Sequence, residues 1–182
     1  MTDSQLAPDA FIRLFNDLFL DEYNTRLELG GDEPLYSPGN PNKIIFARGF
    51  LQSALHEVAH WCIAGSHRRT LEDFGYWYAP DGRDEETQRK FEEHEVKPQA
   101  MEWIFTAAIE QPFFVSLDNL EAPPEDSLDF KTRVRDQALK YLQQGLPTRA
   151  KYLVESLIAQ YSCPTKFEEY WQKVARDQIL PN

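Results

Sequence analysis

Residues 50–65 read Phe-Leu-Gln-Ser-Ala-Leu-His-Glu-Val-Ala-His-Trp-Cys-Ile-Ala-Gly. Leu51, Ala54, Leu55, Val58, Ala59 and Cys62 recur at helical spacing, and Gly65 is a natural stop, so the spacing predicts a buried helix. His56 and His60 flank Glu57 in an H-E-x-x-H pattern within it. Positions i and i+4 differ by about 40° around a helix axis and about 6 Å along it, so two imidazoles can converge on one ion. Glu57 points elsewhere and can reach a water or substrate held there.

Working outward, Phe11, Leu14, Phe15, Leu18 and Phe19 fall on one helical face after Asp9, a plausible N-cap, and predict a helix to about Tyr23. Residues 30–42 are rich in Gly and Pro and read as loop with one short strand, and Ile44–Ala47 as a second short strand. The aromatic run Phe74–Tyr78 is strand-like, followed by turn chemistry at Pro80-Asp81-Gly82. A charged helix is expected from Asp84 to Glu93. Pro98 is expected to end it and to open a second helix reaching Ile109. Residues 120–128 read as loop, and 129–144, 148–161 and 165–178 as three further helices. The expected fold is α+β, a mostly helical single domain over 1–182 with a small sheet and a metal site on the H-E-x-x-H helix.

The composition is that of a folded protein, with 42% hydrophobic and 13% aromatic residues. Nineteen basic and thirty acidic side chains leave a net charge of −11. That argues against a nucleic-acid binder, which needs a basic face, and suits a cationic substrate or partner. Cys62 and Cys163 make no disulfide framework. No segment approaches the roughly 20 apolar residues that span a bilayer, so no membrane association is expected. The chain is read as soluble and cytoplasmic.

Two histidines do not complete a catalytic metal site. A third ligand makes either an open tetrahedral zinc site or the two-histidine, one-carboxylate triad of non-haem iron. Six residues after His60 there is no further histidine, so a downstream glutamate is the natural third ligand. Glu92 and Glu93 lie in a charged run that reads as a solvated face. Glu95, at the expected break before Pro98, is better placed to turn inward, and Glu102 is second choice. Cys62 reads as a core thiol, and His67 and His94 as surface residues.

At this point the likeness is specific. Residues 56–65, Asp-Phe-Gly-Tyr-Trp-Tyr (73–78), Pro-Asp-Gly-Arg (80–83) and Glu-Val-Lys-Pro-Gln-Ala (95–100) resemble the elongation factor P hydroxylase family. Tyr-Asn-Thr-Arg-Leu (23–27) and Asp-Glu-Pro (32–34) also fit. The resemblance implies an oxygen-dependent hydroxylase acting on the β-lysylated lysine of elongation factor P. It implies Fe(II) on His56, His60 and Glu95, with molecular oxygen as co-substrate. Zinc could occupy the site in a purified sample. The H-x-D…H pattern of 2-oxoglutarate enzymes is missing, so that co-substrate is not expected. Without the resemblance, a zinc-dependent peptidase with Glu57 as general base ranks first. A structural metal ranks last, since structural zinc favours Cys and four protein ligands.

A lysylated lysine ends in amines, which are drawn to carboxylates and aromatic faces. Asp73, Tyr76, Tyr78 and Asp81 lie between the H-E-x-x-H helix and Glu95, and are the candidate substrate-binding residues. The alternative is that the aromatics pack in the core and Asp81 shapes its turn.

Overall fold

The structure is a computed structural model that describes residues 6–76, 85–116 and 124–182. Helix α1, Pro8–Tyr23, opens with proline in its first turn, where the missing N–H costs nothing. Ala7 is its N-cap, two residues ahead of the position expected from Asp9. Phe11, Phe15 and Phe19 are fully buried along its inner face.

A three-stranded sheet follows, with strands β1 (Thr25–Leu29), β2 (Leu35–Ser37) and β3 (Asn42–Phe46) in the order β1-β3-β2. β1 runs parallel to β3 with Leu27 opposite Ile44, and β2 runs antiparallel with Tyr36 opposite Ile44. β1 is absent from the sequence expectation. Its signal is a short alternation in which Thr25 and Leu27 are buried while Arg26 and Glu28 face outward. The outer edge of β1 is closed by α1: the Asn16 side chain accepts from Leu27 N–H at 2.8 Å and donates to Leu27 C=O at 3.3 Å. An edge strand is thereby satisfied without a further strand.

Helix α2, Leu51–Ile63, follows β3 and buries Leu51, Ala54, Leu55, Val58, Ala59, Trp61 and Cys62. Trp61 fixes it against α1, with ring centroids 5.3 Å from Phe15 and 5.1 Å from Phe19. Helix α3, Glu85–Ala108, is continuous through Pro98, which corrects the expected break. A proline inside a helix loses one hydrogen bond and costs about 3 kcal/mol. Here Ala100, Met101, Ile104, Phe105 and Ala108 are all buried, and that burial outweighs the local cost.

Helices α4 (Pro124–Gln144), α5 (Thr148–Tyr161) and α6 (Pro164–Asp177) complete the described fold. The α2 C-terminus is held from α5. Arg149 donates from Nη2 to the carbonyls of Trp61, Cys62 and Ala64 at 2.9, 3.1 and 2.7 Å. Its guanidinium also lies 4.7 Å from the centre of the Trp61 ring. A cation there complements the negative end of the helix dipole. Among the described residues no helix is long and apolar enough to cross a membrane.

Phe74 is not in a strand. Glu72–Gly75 form a tight helical turn in which Asp73 and Phe74 have left-handed backbone, at φ 46° and 57°. A bulky residue in that region is strained, by about 1–3 kcal/mol. The strain is offset by burial of the Phe74 ring, which stacks on Tyr36 with centroids 4.1 Å apart. Asp73 Oδ1 accepts from the Tyr36 N–H at 2.8 Å and holds the turn to β2.

Candidate metal centre

The site forms where α2 faces α3. Among the described residues, the buried polar ones of α3 are Gln88, Glu92, Glu95, Gln99, Glu102 and Thr106. Their spacing alternates four and three residues, so they form one stripe on one side of the helix. Glu92 belongs to this stripe and is buried, not on the solvated face expected for it. The stripe, not a helix break, turns Glu95 inward, and Glu95 is only 2% exposed.

His56, His60 and Glu95 come together. The Nε2 atoms of His56 and His60 lie 3.1 Å apart, Glu95 Oε2 is 3.4 Å from His56 Nε2, and Glu95 Oε1 is 3.3 Å from His60 Nε2. Taking one donor atom from each residue, all lie within 4.8 Å of one another. With metal–ligand bonds of about 2.1 Å, neighbouring ligand atoms stand about 3.0 Å apart at right angles and about 3.4 Å apart at the tetrahedral angle. Each Glu95 oxygen faces one imidazole nitrogen at a spacing of that order.

Glu102 takes the other side of His56, with Oε2 2.9 Å from Nδ1. A carboxylate there accepts the Nδ1 proton, so Nε2 is the nitrogen turned towards His60 and Glu95 and offered to a proton or a cation. Nitrogen and carboxylate acceptors so gathered repel one another unless a cation or a proton sits among them. The donor set therefore fits a divalent metal.

Electrostatics agree with this. Burial works against a charged His56, but Glu95 and the Glu102 hydrogen bond outweigh it and raise its pKa to about 10. Burial likewise acts to raise Glu95, yet the His56 and His60 imidazoles hold it down at about 2. Gln99 donates to Glu95 at 3.4 Å and to the Ser116 carbonyl at 2.6 Å, tying Glu95 to the segment after α3.

Glu57 is half-buried beside this centre. Burial raises its pKa, the two imidazoles lower it, and Glu95 and Asp73 add to the rise. His60 is 5% exposed and is walled by Phe74, whose ring stacks on it with centroids 6.3 Å apart, and by Tyr76 at 6.2 Å. Tyr76 also meets the exposed His94 at 5.3 Å, and Arg68 lies 4.2 Å above its ring. Of the candidate substrate residues, Tyr76 thus lies against the site and Asp73 anchors β2, while Tyr78 and Asp81 lie outside the described residues. Cys62 is buried, and burial pushes its thiol up to about 12. Sequence reasoning ranked Glu102 as the second candidate ligand and did not foresee its contact with His56. Its partner is Nδ1 of His56, which only the pairing of α2 with α3 reveals.

The fold and site define a mostly helical α+β protein with a two-histidine, one-glutamate cluster able to hold a metal. The elongation factor P hydroxylase family model (EpmC) matches residues 14–170. A curated relative, the elongation factor P lysine hydroxylase of Haemophilus influenzae, is 56% identical over 155 residues, covering 83% of this chain and 87% of the relative. The chain belongs to the elongation factor P hydroxylase family.

Proposed function

We propose that this chain hydroxylates a lysine of elongation factor P in its β-lysylated form, with Fe(II) held by His56, His60 and Glu95 and molecular oxygen as co-substrate. The convergence of these three side chains, with 3.1–3.4 Å between the facing atoms, supports the reading most strongly. Bound iron supplies the activation of oxygen, and a triad of this kind leaves it open coordination positions.

The protein's own groups define the rest. Glu57 sits next to the cluster with its pKa raised by burial, and so can hold or accept a proton at the reacting carbon's surroundings. Phe74 and Tyr76 wall the His60 side and exclude water from it. Tyr76, Tyr78, Asp73 and Asp81 are the proposed substrate-binding group. With one Asp73 oxygen engaged by Tyr36, the cationic tail is drawn chiefly to the other members and to the −11 charge of the chain. The proposal takes no 2-oxoglutarate, no nucleic acid and no membrane. It treats 1–182 as one domain working in the cytoplasm, where translation factors are modified.

The test is to incubate the iron-loaded protein with lysylated elongation factor P, oxygen and a reductant, and to weigh the product. A gain of about one oxygen atom is expected. An unchanged mass with iron fully loaded, or peptide cleavage by the zinc form, would overturn the assignment.

A further inference from the structure

We propose that Glu102 is a positioning residue for the metal centre: it fixes His56 as the Nδ1–H tautomer, so that Nε2 is the atom offered to the ion, and it adds a buried negative charge behind that ligand. The inference rests on the metal centre proposed above and assigns a role to a residue outside the ligand set.

The geometry separates this role from ligation. The two nitrogens of an imidazole direct their lone pairs or protons to opposite sides of the ring. His56 Nε2 faces His60 and Glu95, at 3.1 and 3.4 Å, whereas Nδ1 faces Glu102 at 2.9 Å. Glu102 therefore engages the far side of the ring from the point where the three ligand atoms converge. Glu102 is 7% exposed and lies seven residues after Glu95, two turns along the same buried stripe. The backbone carbonyl of Glu102 is held as well, accepting from Thr106 Oγ1 at 2.8 Å. A single face of α3 thus supplies one carboxylate to the metal and a second to the histidine that binds it. Carboxylates in this relation to a metal-bound histidine orient the ring and strengthen its nitrogen as a donor, and their loss costs about 10–100-fold in metal affinity.

The experiment measures Co(II) binding by its visible absorption in the full-length wild type, Glu102→Gln, Glu102→Ala and Glu95→Ala. Long-range nitrogen–proton NMR of the zinc-loaded wild type reads the His56 tautomer without any substitution. The expected results are a protonated Nδ1 and a metal-bound Nε2 on His56. Glu102→Ala should bind Co(II) about 10–100-fold more weakly, with unchanged stoichiometry and a spectrum of the same coordination number. Glu102→Gln keeps the volume and an acceptor for Nδ1–H but loses the charge, and should fall between Ala and wild type. Glu95→Ala should lose tight binding. Wild-type affinity in both Glu102 variants, a metal on Nδ1, or a changed coordination number in Glu102→Gln would overturn the proposal. A wild type that binds no Co(II) would bring down the metal centre itself, a result distinct from any of these.

Discussion

His56 Nε2 lies 3.1 Å from His60 Nε2, and both face the Glu95 carboxylate. One turn of α2 sets the spacing of the two imidazoles, and the inward stripe of α3 sets the third group. His56→Ala and His60→Ala should each abolish tight metal binding and leave α2 formed, since alanine is a good helix residue. Glu95→Ala should do the same, and more severely than Glu102→Ala. Metal content after dialysis, with circular dichroism alongside, checks this. Metal lost from Glu102→Ala but kept by Glu95→Ala would exchange their roles.

Glu57 neighbours the cluster with its pKa raised by burial. Glu57→Gln should retain the metal and lower turnover by about 10²–10⁴-fold, the range for removal of a general acid or base. Full turnover in this variant would leave Glu57 a structural carboxylate.

Metal uptake should release a proton. In the metal-free protein Glu95 and Glu102 overcome burial to raise His56 to about 10, so it is charged at pH 7. Binding needs the neutral ring, so apparent affinity should rise with pH up to about 10, by as much as about tenfold per unit, and fall as pH is lowered. Titration calorimetry at pH 7 in buffers of different ionisation heat should give close to one proton released. Heats independent of buffer would contradict it.

The substrate segment has its own test. Tyr78→Phe and Asp81→Asn should raise KM for the lysylated factor with iron content unchanged, because an acceptor or a charge is removed from the proposed amine-binding group. Steady-state kinetics with paired iron assays decide it, and unchanged constants in both would take these two residues out of the substrate site.

Arg149 bonds three carbonyls at the end of α2. Arg149→Leu leaves those acceptors to find other donors and should cost about 2–4 kcal/mol. For a chain of this length that lowers the thermal midpoint by about 5–15 °C. A midpoint within a degree or two of wild type would show that water satisfies the same carbonyls.

The helices were legible because their buried faces repeat at the helical period: Phe11, Phe15 and Phe19 in α1, and Ala54, Leu55, Val58 and Ala59 in α2. β1 was not, since five residues with two buried side chains carry too little pattern until β3 pairs with them. The Phe74 turn was misread as strand because aromatic residues favour strands on average. Stacking on Tyr36 and His60 and the Asp73 bond to Tyr36 override that preference.

By itself the sequence determined that His56 and His60 share a helix face, because four residues make just over one turn whatever surrounds them. It also carried the family likeness, through strings spread from residue 23 to residue 100. Only the tertiary structure decided which glutamate meets which nitrogen. Glu95 and Glu102 share a face of α3, and one helix alone cannot say which of them reaches a given atom of another. The packing of α3 on α2 sets Glu95 3.3–3.4 Å from the two Nε2 atoms and Glu102 2.9 Å from Nδ1 of His56. Continuation of α3 through Pro98 was settled at the same level, because the apolar burial that outweighs a lost hydrogen bond exists only once the helices are packed.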